Sequence, residues 1–180
     1  MECLLALCLQ LAAGWTHANP QNCGIWYLCQ PDAPYTLHQD SPTYSVGVAG
    51  EHWRAGWQGL GRTETDAHVP PPVVPVPEFF RTIGKNRGFY VEGVYRKGPF
   101  DFEGGLWLYR STVAVAVNDY RFNSGANSVG PIAGASYNVG PFALALTVRG
   151  TESRATDWNG NHQPSPTKGF ASTLEVRYTL

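Results

Sequence analysis

Ten charged side chains carry most of the chemistry this sequence offers. Arg54, Arg62, Arg96, Arg149 and Arg177 stand against Glu64, Glu92, Asp101, Glu103 and Glu175, five of each sign, in stretches where polar and apolar residues alternate. Drawn into one enclosed space, such a set lines a gated pore, forms an acid–base cluster, or pairs off and fills the space. A lone buried charge is costly, so pairing into a closed, salt-bridged interior is the expected outcome. Covalent catalysis needs a nucleophile with a base in reach, conventionally a histidine oriented by a carboxylate. His38, His52, His68 and His162 are scattered, no His-x-Ser occurs, and His38-Gln39-Asp40 is a loop dyad at most. No paired CxxC motif is present. The reading is therefore of a chain with no catalytic centre, metal or cofactor.

The composition limits the elements that position these charges. Among 180 residues there are 13 basic and 14 acidic side chains, 20 Gly, 14 Pro, 9 Tyr and 6 Trp, but one Met. Charged residues make up 15%, against about 25% in an average soluble domain. This argues against a helical bundle or coiled coil and for many short strands joined by turns. The near balance of charge lacks the basic footprint of a nucleic-acid binder.

The one long apolar run, Cys3 to Trp15, is broken only by Gln10. It is too short for a membrane-spanning helix, which needs about 20 residues. Thr16-His17-Ala18 follows it, so the run reads as a signal peptide over residues 1–18, cleaved before Asn19, with one domain over 19–180. A buried N-terminal helix is the alternative, since Glu2 stands where a leader usually carries Lys or Arg. Cys23 and Cys29 lie six steps apart, roughly 20 Å along an extended strand. Bridged Cα atoms sit about 4.4–6.8 Å apart, so the pair is either a disulfide across a turn or shares one strand, not both.

Period-two alternation recurs along the rest of the chain. From Phe170 to Leu180 one face reads Phe170, Ser172, Leu174, Val176, Tyr178, Leu180, and the other Ala171, Thr173, Glu175, Arg177, Thr179. Phe142–Thr151, Gly88–Arg96, Thr43–Gly50 and Trp53–Glu64 repeat the pattern, with Leu60 breaking the last; Pro131–Tyr137 shows it weakly. Phe100–Val117 has two readings. A bulge at Gly104-Gly105 sends Trp107 and Tyr109 to the apolar side; without one, Leu106 and Leu108 face out and the two aromatics face in. Gly24–Gln30 supplies an eighth, aromatic-rich segment ahead of these.

Short turns at Gly50–His52, Lys97–Pro99 and Asn138–Pro141 alternate with long connections at Pro31–Pro42, Asp66–Arg87, Asn118–Asn127 and Ser153–Thr167. Short–long alternation between strands of about 9–11 residues marks a transmembrane barrel. A soluble sandwich or lipocalin-like barrel is the competing architecture. The chain thus resembles the small eight-stranded outer-membrane barrels of the OmpA/OmpX or Ail/Lom type, most specifically in its terminal strand Leu174-Glu175-Val176-Arg177-Tyr178-Thr179-Leu180. The resemblance implies an all-β, eight-stranded antiparallel up-and-down barrel, monomeric in the bacterial outer membrane. It implies that the barrel-assembly machinery reads the C-terminal strand. Eight strands leave an interior just wide enough for side chains to fill.

The leading functional expectation is a structural or surface-interaction role. A narrow channel or conduit for small hydrophobic solutes is the second, and a lipid A-modifying enzyme the third. The loops offer a protein ligand the proline-rich stretch Pro70 to Pro77. Arg81, Lys85, Arg87 and Arg110 face the phosphates of lipopolysaccharide on this reading.

Overall fold

The computed structural model describes residues 8–18, 35–38, 40–68, 79–117, 120–153 and 167–180. They form one closed antiparallel barrel from nine strand segments: β1 (Cys8–Ala18), β2 (Tyr35–His38), β3 (Asp40–Ala49), β4 (Trp53–His68), β5 (Phe79–Lys97), β6 (Phe100–Val117), β7 (Tyr120–Val139), β8 (Phe142–Ser153) and β9 (Thr167–Thr179). Both β2 and β3 lie beside β4, β2 continuing upward from β3, so the wall has eight strand positions. The pairings β1–β9 and β4–β5 close it.

Alternation drives this arrangement. On β9, Glu175 and Arg177 are buried while Leu174 and Val176, at 52% and 51% exposure, face the surroundings. On β8, Ala143, Ala145, Thr147 and Arg149 point in and Phe142, Leu144, Leu146 and Val148 point out. The result is an inside-out protein, with polar groups in the lumen and a continuous apolar belt outside, as a membrane-spanning barrel requires. Aromatic pairs edge the belt at the short-turn end, Phe100 on Tyr137 at 5.1 Å and Phe142 on Tyr178 at 5.0 Å. Tyr44 on Trp57, at 5.5 Å, lies nearer the other end.

Two short turns are Gly98-Pro99 and Gly140-Pro141, each opening on a glycine at positive φ, 63° and 61°. Glycine at the first central position is what a type II′ hairpin turn demands. The third short turn is Gly50–His52, tied by Gly50 N–H to the Trp53 carbonyl at 2.9 Å.

The N-terminal segment has a place in the structure that the leader reading did not give it. Cys8–Ala18 is the strand that closes the barrel, paired with β3 from Cys8↔Ala49 to His17↔Asp40 and with β9 from Gln10↔Thr179 to Ala18↔Ala171. The wall therefore begins ahead of the expected boundary at Asn19. The physical reason is the narrow lumen. Gln10, Ala12 and Thr16 face it, while Leu9, Leu11 and Trp15 face out. Small inward residues made an alternating strand look uniformly apolar. Gly24–Gln30, with Cys23 and Cys29, lies outside the described residues.

The long connections are also shorter than expected. Asp40–Pro42, Phe79–Arg87 and Tyr120–Asn127 belong to strands, and β6 pairs with β7 without interruption from Phe100↔Tyr137 to Val117↔Tyr120. That unbroken ladder, matched by the one to β5, settles the phase of β6: no bulge occurs at Gly104-Gly105, and Trp107 and Tyr109 point inward. The bulge lies elsewhere, at Gly61 between Leu60 and Arg62.

Candidate functional site

The lumen is the site, and it has two layers. In the layer nearer the short turns, Glu103 is the hub. Its Oε1 accepts from Arg54 Nη1, from Arg177 Nη1 at 2.6 Å and from Ser136 Oγ at 3.0 Å. Arg54 Nη2 donates to Asp101 Oδ2 at 2.6 Å. Arg177 Nε donates to Glu175 Oε1 at 2.7 Å, and Gln58 Nε2 to Glu175 Oε2 at 3.2 Å. Charge-assisted bonds of this kind are the strong ones, and here they tie together strands β4, β6, β7 and β9 across the interior.

Glu92 and Arg149 are buried with them but held loosely. Arg149 Nη2 lies 3.7 Å from Glu92 Oε1, and Arg149 Nη1 donates to Thr147 Oγ1. Neither Glu92 oxygen has a hydrogen bond among the described residues. Arg96 is half-exposed at the short-turn mouth, its Nε 3.6 Å from Asp101 Oδ1. One of the ten predicted charges, Arg62, is not in the set. The bulge at Gly61 turns Arg62 to the outer face, where it pairs in register with Lys85. The Glu64 side chain lies outside the described residues. Three buried arginines thus meet four buried carboxylates.

Above this lies a layer that charge-counting missed. Leu60, Tyr90, Trp107, Tyr109, Ile132 and Ala171 form a buried cluster. The Trp107 and Tyr109 rings stack at 3.9 Å and 13°. The signal was present as two aromatics at i and i+2 opposite Leu106 and Leu108, but their side stayed open until the β6 phase was known.

The same aromatics secure an irregular stretch of wall. The β7–β8 ladder runs from Val139↔Phe142 to Ile132↔Arg149 and stops there, although both strands continue. Pro131, next in line, has no N–H to offer. Gly130 and Gly150 press together instead: a Cβ on Gly130 would sit 2.2 Å from the Gly150 carbonyl oxygen. The stranded β8 backbone groups bond inward. Trp107 Nε1 donates to the Gly150 carbonyl at 2.9 Å, Tyr109 Oη donates to the Glu152 carbonyl at 3.3 Å, and the Glu152 N–H donates to the Tyr109 hydroxyl.

Outside the lumen, Asp40 pairs with His17 Nδ1 at 2.8 Å, exposed on the wall, and the His38 side chain lies outside the described residues. Among the described residues, no three His, Cys, Asp or Glu side chains converge as a metal centre requires.

No protein family and no curated protein sequence matches the chain. Solved structures do match its fold. The outer membrane protein OprG of Pseudomonas aeruginosa aligns with a TM-score of 0.61 at 11% identity, over 97% of this chain and 96% of that one. Ail, the attachment invasion locus protein of Yersinia pestis, solved in complex with the heparin analogue sucrose octasulfate, gives 0.59 at 9% identity, over 98% and 100%. Neisserial surface protein A gives 0.56 at 14% identity, over 96% and 97%. The chain has the fold of the small eight-stranded outer-membrane barrels.

Proposed function

From that fold, we propose that the protein is a monomeric barrel of the bacterial outer membrane whose interior is sealed and whose work is done at its surface, in membrane integrity or contact with external partners. One observation carries this reading: the lumen is filled twice over, by a salt-bridged layer and by a stacked aromatic layer. Planar-bilayer recording tests it. The expected trace shows no steady conductance, and a large, single-level conductance overturns the reading. Heat-modifiable gel migration and recovery with the outer-membrane fraction test the location.

The outer face supports the surface role. On β6, lipid-facing Phe102, Leu106 and Leu108 give way to exposed Arg110, which is opposite exposed Arg87 on β5. Like charges directly across a ladder are unfavourable unless an anion sits between them. The phosphates of lipopolysaccharide at the headgroup level are the proposed anions. The alternating end of β9, Leu174 to Leu180, is the proposed signal for the assembly machinery, and the connections beyond the tall β4–β7 strands are the proposed contact for a protein ligand.

A second reading, a conduit for small hydrophobic solutes, is favoured by the interrupted β7–β8 ladder. A wall held there by packing opens more easily than one held by a hydrogen-bonded ladder. Uptake of an apolar fluorescent probe into cells with and without the protein separates the two readings.

A further inference from the structure

The short-turn mouth of the lumen contains a cavity of about 280 Å³, bordered by Gln10, Arg54, Arg96, Asp101, Asn138 and Thr179. It is near the lower end of the range for small-molecule sites, about 300–1,000 Å³. Its floor is chemically one-sided. Both terminal nitrogens of Arg54 are already taken, by Asp101 Oδ2 and Glu103 Oε1. Asp101 is the opposite case: its side chain is 2% exposed, yet its Oδ1 has no hydrogen-bond partner among the described residues. The nearest cation, Arg96, stands off at 3.6 Å with half its side chain in the open. Behind this floor, among the described residues, four buried carboxylates meet three buried arginines, and Arg96 at the mouth brings the two signs level.

We propose that this vestibule is a binding site for a small organic cation bearing N–H donors, a primary ammonium or a guanidinium, which takes the vacant bond to Asp101 Oδ1. The open position is a carboxylate oxygen whose own cation, Arg96, is held only loosely, so it selects for positive charge and for a donor. A bare divalent ion fits less well, because calcium and magnesium demand six or more oxygens and the cavity offers one carboxylate. Arg96 is the chain's own competitor for the position. It is long, half-solvated and too far away to bond, so an incoming cation displaces it at little cost.

The test is a titration of the isotope-labelled protein in lipid nanodiscs, followed by amide NMR at Gly98, Asn138, Gly140 and the Gln10 side chain. Methylguanidinium and n-butylammonium chlorides are compared, at equal ionic strength, with tetramethylammonium chloride and with sodium phosphate. Saturable shifts are expected for the first two and none for the others. Arg96→Gln is expected to tighten methylguanidinium binding several-fold, and Asp101→Asn to abolish it. Because Asp101→Asn also deprives Arg54 of a partner and can impair folding, Arg96→Gln is the deciding variant. Equal shifts with tetramethylammonium, saturable binding of phosphate, no saturable shift at all, or weaker binding in Arg96→Gln each overturn the proposal. All of these readouts are independent of whether the lumen conducts.

Discussion

The two layers of the lumen fill the same tube by opposite means. Near the short turns, Arg54, Asp101, Glu103, Glu175 and Arg177 are held by directed bonds between full charges. Higher up, Trp107, Tyr109, Tyr90, Leu60 and Ile132 are held by contact and shape, with Trp107 and Tyr109 also hydrogen-bonded to the β8 backbone. A charged layer depends on every partner, because removing one leaves another buried and uncompensated. A packed layer is more forgiving, since its loss scales with the volume removed. The consequence is an interior with one brittle layer and one tolerant layer.

The largest expected effect comes from breaking the brittle layer. Arg177→Leu leaves Glu175 with only the Gln58 amide and takes one of the two arginines from Glu103, and it is expected to destabilise the barrel by about 3–5 kcal/mol in denaturant unfolding from lipid vesicles. Combining Glu175→Gln with Arg177→Gln is expected to recover part of that loss; no recovery means that the charges do not act as a network. Next comes the belt outside. Leu174→Arg, at mid-belt, is expected to cost about 2–4 kcal/mol by the same assay, whereas Tyr178→Arg, at the aromatic edge beside Phe142, costs about 0–1. Equal costs at the two depths contradict the assigned membrane position.

A smaller effect is expected in the tolerant layer. Trp107→Phe keeps a ring for Tyr109 to stack on but removes the bond to the Gly150 carbonyl, a loss of about 1 kcal/mol. Faster amide hydrogen exchange along Gly150–Glu152 is the accompanying signature. The smallest belongs to Arg62→Gln, expected to change stability by about 0.5 kcal/mol or less, because this arginine is on the outer face. A loss comparable to that of Arg177→Leu places Arg62 in the lumen after all.

Legibility in the sequence followed side-chain contrast. β8 and β9 set large apolar residues against charges, and their faces were readable to the residue. β1 could not be read this way, because Ala12 and Gly14 suit a narrow interior yet count as apolar in any hydropathy scan. The ends of β5 and β7 were hidden by polar residues and glycine, which signal loops when no partner strand is known. Arg54, Asp101, Glu103, Glu175 and Arg177 were legible as a set by parity alone. Which charge meets which was not, since that depends on the stagger between strands. The aromatic layer hung on the phase of β6, and only the continuous ladders to β5 and β7 settle it.

Gly61 acts on β4 as a shift of reading frame. Up to Leu60 even-numbered positions spell the interior; two residues later Arg62, also even-numbered, spells the exterior. No larger residue fits at the junction, because a Cβ there would lie 2.0 Å from the Ser41 hydroxyl. A single-codon deletion at this position would take out the extra residue and leave Arg62 directly after Leu60, still opposite Lys85 and still outside. Drawing Gly61 into the ladder as an ordinary outward residue would do the reverse and carry Arg62 through the wall, setting a cation against Trp107, Tyr109 and Ile132. The bulge, not the length of the strand, keeps that cation outside.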